Sequence, residues 1–80
     1  MSADAEALRA RALIDTLRPL LAGQGAGVQG AALVELVALH LAGHPPGARE
    51  ELLALHVAAV RAMLPVVERE LFGPRGHPGG

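Results

Sequence analysis

Two short stretches, Gly23-Gln24-Gly25-Ala26-Gly27 and Gly43-His44-Pro45-Pro46, limit what this chain of 80 residues can fold into. Both are built from residues that interrupt regular structure, glycine through its backbone freedom and proline through its missing N–H and fixed φ. Around them, apolar residues recur at three- and four-residue spacings. No run alternates with period 2 beside turn chemistry, so no strand is expected. The sequence predicts an all-α protein: a small three-helix domain over residues 1–72, with helices at about 4–22, 28–42 and 46–72. Residues 73–80, rich in Gly and Pro, form an expected disordered tail.

In the first helix, Ser2 or Asp4 can cap the free N–H groups, and Asp4 and Glu6 suit the positive end of the helix dipole. Leu13, Ile14, Leu17, Leu20 and Leu21 share one face, with Arg11, Asp15 and Arg18 opposite at ion-pair spacing. Pro19 predicts a kink or break near Leu17. In the second, Gly43 is placed as the terminating residue, with Pro45 and Pro46 beyond it. In the third, Pro46 suits the first helical position and Glu50 and Glu51 the first turn, while Pro65 should kink the helix. The short connection between helices two and three favours an antiparallel hairpin with helix one packed across it.

What could hold so small a domain together is a narrower question. Hydrophobic residues make up 51% of the chain, too many for disorder, yet Phe72 is the one aromatic. Any core must therefore be built from Leu, Val and Ala, without the large areas that aromatics bury. The absence of cysteine removes disulfides, thiolate chemistry and zinc ribbons together. A partner chain or a histidine-bound metal is the remaining kind of staple.

Charge argues against nucleic acid. All seven basic residues are arginines (9, 11, 18, 49, 61, 69 and 75), dispersed among eight acids for a net charge of −1. A concentrated basic footprint is missing. The segment from Val28 to Ala42 falls short of the ~18–20 residues that span a bilayer, and it contains Glu35. The N-terminus MSADAEALRA has no basic segment followed by an apolar run, so it does not read as a signal peptide. The expectation is a soluble, cytoplasmic protein without nucleic-acid or membrane partners. Arg without Lys, beside abundant Ala, Gly and Leu, suggests a GC-rich bacterial genome.

The histidines are the conspicuous polar groups. His40 and His44 have the i,i+4 spacing that lets two imidazoles share a metal, but no Glu follows His40 as in the HExxH motif. Gly43 and Pro45 predict that the helix ends before His44, taking it off the shared face. His44 then reads as a helix-terminus residue at the negative end of the dipole. At 100° per residue, His40 falls among Leu33, Leu36 and Val37. His56 falls among Leu52, Leu53, Val60, Met63 and Val67. The first expectation is that these two rings are packed and hydrogen-bonded. Metal coordination by His40, His44 or His56 is the alternative, and no cofactor is otherwise implied. His77 in the tail has no predicted role.

Catalysis has little to stand on. Ser2 and Thr16 carry the only hydroxyls, and neither has a histidine near it in sequence, so a nucleophile–base pair is unsupported. The Gly23–Gly27 stretch lacks the preceding strand and the Gly-Lys of a phosphate loop. No enzyme is expected.

The informative feature is a second apolar seam on helix three: Leu55, Ala58, Ala59, Ala62 and Val66, about 140° round from the face centred near His56 and Val60. Helix two echoes it with Ala32, Leu36 and Leu39. Two apolar faces on one helix suggest that it is sandwiched between its own core and another helix. The predicted partner is a second copy, giving a homodimeric bundle, or another helical protein. The chain thus reads as a non-catalytic interaction module, a small accessory or adaptor. Two further readings stand behind it: a helical binding protein with a histidine-lined metal or apolar-ligand site, and, disfavoured by charge, a helical regulator associated with DNA.

Overall fold

The computed structural model describes residues 2–79, and every regular element among them is helical. Helix α1 spans Ala3–Ala22 and α2 spans Ala26–Ala42. A single 3-10 turn at Pro46–Ala48 leads into α3, Arg49–Phe72. The all-α expectation holds. By contact the chain divides into two units, Met1–Val37 and Ala38–Gly80.

In the first unit, α1 begins where the capping argument puts it. The Ser2 hydroxyl accepts the Ala5 N–H at 3.2 Å, with Asp4 and Glu6 in the first turn. Arg11 and Asp15 form the i,i+4 ion pair, 3.1 Å apart and exposed to solvent. An exposed pair of this kind contributes ~0.5 kcal/mol at most. The helix continues through Pro19 to Ala22 without a break. Proline there costs the Asp15 carbonyl its amide donor. One turn earlier, the Thr16 hydroxyl donates to the Ala12 carbonyl at 3.0 Å.

Helix α2 starts at Ala26, two residues before the expected Val28, so the connecting loop shrinks to Gly23, Gln24 and Gly25. Gln29 accounts for this. Its side-chain Nε2 donates to the Leu21 carbonyl at 2.7 Å and to the Gln24 carbonyl at 3.1 Å. Its backbone N–H donates to the Gly25 carbonyl at 3.0 Å. One residue therefore closes the first turn of α2 and ties it to the Leu21 carbonyl in the last turn of α1 and to the Gln24 carbonyl of the loop. Ala26 and Gly27 are drawn into the helix as a result, although Gly27 is a poor helix former.

In the second unit, α3 runs through Pro65, where the Arg61 carbonyl loses its donor. It ends at Gly73, whose φ of 77° is left-handed and whose N–H donates to the Arg69 carbonyl at 2.9 Å. That backbone conformation suits glycine. Beyond it, the described tail residues make contacts of their own with α3. The His77 N–H donates to Glu68 Oε1 at 2.7 Å, and the His77 ring meets Phe72 edge-on with centroids 4.8 Å apart. Gly76, with φ 72°, lies so close beneath Glu68 that a Cβ would sit 2.7 Å from its Oε1. His77, which had no predicted role, is thus the contact that turns the tail back onto the last turns of α3.

No side chain among the described residues is buried. The better-covered apolar residues are Ala5, Leu21, Ala32 and Val37 in the first unit, and Leu41, Ala48, Leu52, Leu53 and Val67 in the second.

Because Gln29 joins the two helices of the first unit through a donor that alanine lacks, Gln29→Ala should lose ~1 kcal/mol of helical stability. Urea titration followed by circular dichroism measures it. An unchanged midpoint would mean that the two side-chain bonds contribute nothing.

Candidate functional site

The densest polar arrangement in the second unit lies where α2 ends. The last carbonyls of a helix need donors, and a left-handed glycine usually helps to supply them. Gly43 was expected in that role. Among the described residues, however, only Gly73 and Gly76 have positive φ. Two side chains take over. Arg49, the first residue of α3, donates through Nε to the His44 carbonyl at 3.0 Å and through Nη2 to the Ala42 carbonyl at 3.1 Å. The His44 ring turns back so that Nδ1 lies 3.0 Å from the His40 carbonyl. Backbone bonds from Gly43 to Leu39 and from His44 to Leu41 complete the turn.

Arg49 is placed well for one helix and badly for the next. Its guanidinium sits at the negative end of α2, where a cation is favoured, while its own backbone begins α3, where a cation is disfavoured. Glu50 and Glu51 in the first turn of α3 offset the second effect. The outcome is a half-buried arginine cross-linking the two helix ends, with the Pro46–Ala48 turn between them.

This corner also decides where the histidines lie. Although the helix ends at Ala42, as expected from Gly43 and Pro45, His44 does not leave His40. The two rings meet edge-on with centroids 5.0 Å apart. His40 is exposed, not packed in a core, and so is His56. His56 lies on α3 at the end of a shallow apolar groove lined by Ala59, Val60, Met63, Leu64 and Val67. Among the described residues, no three His, Asp or Glu side chains are grouped closely enough to enclose a metal ion.

The seam residues Leu55, Ala58, Ala59, Ala62 and Val66 all lie on α3 and are exposed. So are Leu36 and Leu39 on α2. Exposure separates the seam from the other face only in part: Leu52, Leu53 and Val67 are partly covered, while every seam residue is exposed. Leu55 and Val66 are 61% and 49% exposed, against 48% for Val60 and 52% for Met63 on the face read as core. Helix α3 thus carries exposed apolar side chains on both faces. Among the described residues, no helix is long and apolar enough to cross a membrane.

Gln29 and Arg49 are the polar residues that sequence reasoning missed. Neither stands in a motif; each acts by reaching back across a turn to carbonyls five to eight residues earlier. A Gln or Arg in the first turn after a Gly/Pro break is the available signal.

No protein-family model, curated protein or solved structure matches this chain.

Replacing Arg49 by Ala removes two charge-assisted bonds, and by Lys it removes the planar fork that reaches two carbonyls at once. Both variants should speed amide exchange at Gly43 and His44, Arg49→Ala more than Arg49→Lys, with a stability loss of about 1–2 kcal/mol for the alanine. Exchange rates equal to those of the parent would remove Arg49 as the corner's clasp.

Proposed function

We propose that this protein is a non-catalytic helical interaction module, a small accessory or adaptor whose helices complete their core by association. The observation that carries the reading is the state of the apolar side chains. Eighteen large ones among the described residues are exposed, and none is buried. Each Leu, Val or Met removed from water contributes about 1.5–3 kcal/mol. Leaving so many exposed forfeits an amount larger than the whole stability of a small domain, ~5 kcal/mol. A chain that spends half its residues on apolar side chains is built to cover them.

In this reading α2 and α3 close as an antiparallel hairpin about the Arg49 corner, with α1 packed across it and α3 bent at Pro65. The face near His56 and Val60 turns inward. The Leu55–Val66 seam, with Leu36 and Leu39 of α2, meets a second copy. Alanines at 58, 59 and 62 allow two helices to approach closely, while Leu55 and Val66 supply the larger knobs. A homodimeric bundle follows, and another helical protein could occupy the same seam. The composition favours the cytoplasm of a bacterium, where a cysteine-free chain needs no oxidising compartment. Dispersed charge supports a protein partner over nucleic acid. The lack of any hydroxyl or thiol beside a base supports a binding role over catalysis.

Sedimentation velocity across a wide concentration range tests the reading. The parent chain should sediment as a dimer. Ala59→Glu, which puts an unpaired carboxylate on the seam, should weaken association by ~100-fold or more in Kd. Ala54→Glu is the control, because it falls beside Glu50 and Arg61 on the polar side of α3 at 100° per residue. A parent that stays monomeric and helical at high concentration, or an Ala59→Glu variant with unchanged mass, would overturn self-association through this seam.

A further inference from the structure

The structure brings together two imidazoles that their places in the chain should have separated. We infer that His40 and His44 form a two-ligand chelate for a borderline divalent transition ion, with water filling the remaining positions. Three observations support this.

The first is spacing. The ring centroids are 5.0 Å apart. Two imidazoles bound at about 2.0–2.1 Å to one tetrahedral ion hold their ring centres on the order of 5 Å apart. The second is the tautomer of His44. Its Nδ1 lies 3.0 Å from the His40 carbonyl oxygen, which can only accept, so Nδ1 carries the proton. Nε2 is left with its lone pair. A backbone carbonyl holding one ring nitrogen, so that the other is free to bind, is the usual outer support of a metal-ligating histidine. The third is access. His40 is exposed and His44 half-exposed, so an ion can reach both rings without the helix opening.

The support is built in. The corner that turns His44 back is clasped by Arg49 at the His44 carbonyl. Imidazole donors select the class of ion: Ni2+, Cu2+ and Zn2+ bind them, whereas Mg2+ and Ca2+ prefer oxygen. With two protein ligands and an open face, the order should follow intrinsic affinity, Cu2+ above Ni2+ and Zn2+. The site does not depend on the association proposed above, because both ligands come from one helix end of one chain.

The test uses the full chain with Ni2+ alone as probe. Isothermal titration should give one site per chain, and Mg2+ at the same concentration should give no heat. In proton NMR, paramagnetic Ni2+ should broaden the ring signals of His40 and His44 and spare those of His56 and His77. His40→Ala and His44→Ala should each weaken Ni2+ binding by ~10-fold or more, with helical circular dichroism unchanged. His56→Ala should bind as the parent does. The inference fails if the parent binds no Ni2+, if His56 or His77 broadens along with the pair, or if either single substitution leaves the affinity unchanged. A His40→Ala chain that loses its helicity is replaced by His40→Gln, which keeps a polar side chain and offers no imidazole. The same ~10-fold loss is then expected.

Discussion

Everything in this protein turns on the burial of aliphatic side chains that a single helix cannot accomplish for itself. Helix formation fixes backbone torsions at a cost of about 1–2 kcal/mol per residue, and hydrogen bonds alone offset it only marginally. Helices of 20, 17 and 24 residues are therefore near the margin unless an apolar face is covered. Here the faces consist of Leu, Val, Ala and Met, with Phe72 as the one aromatic, so each contact contributes a modest amount and many are needed. In the reading proposed above, folding and association become one process, because the residues that would form the interior and those that would form the interface are chemically alike.

The local half of the architecture was legible in the sequence because its causes are local. Ser2 caps α1, acids occupy the first turns, and the Gly/Pro breaks separate the helices. Each effect acts within one turn of the residue that causes it. The same logic failed by two residues at the start of α2 and failed to identify what closes its end. In both places a side chain on the far side of a break, Gln29 or Arg49, reaches carbonyls that periodicity does not connect to it. Which apolar face meets which was not legible. Ala- and Leu-rich helices offer similar ridges all round, and α3 carries two faces of nearly equal character.

The histidines illustrate the difference between spacing and placement. Read along the chain, i,i+4 spacing suggested a pair and the following Gly-His-Pro argued against it. Both arguments were sound: the helix does end at Ala42, and the rings do meet. What reconciles them is the hydrogen bond from the His44 ring to the His40 carbonyl, which uses the terminus itself to fold the side chain back. A helix end supplies unsatisfied acceptors, and an imidazole placed just beyond it is well suited to find one.

The three-residue connection between α1 and α2 has an evolutionary corollary. Loops are ordinarily where insertions and deletions accumulate, because their ends tolerate a change in path. Here Gln29 spans the loop and grips a carbonyl on its far side at 2.7 Å. One added residue would rotate and displace α2 enough to pull that amide out of reach. The segment that looks most permissive, Gly23-Gln24-Gly25, is therefore fixed in length while remaining free in much of its composition, and drift in this part of the chain should proceed by substitution and not by change of length.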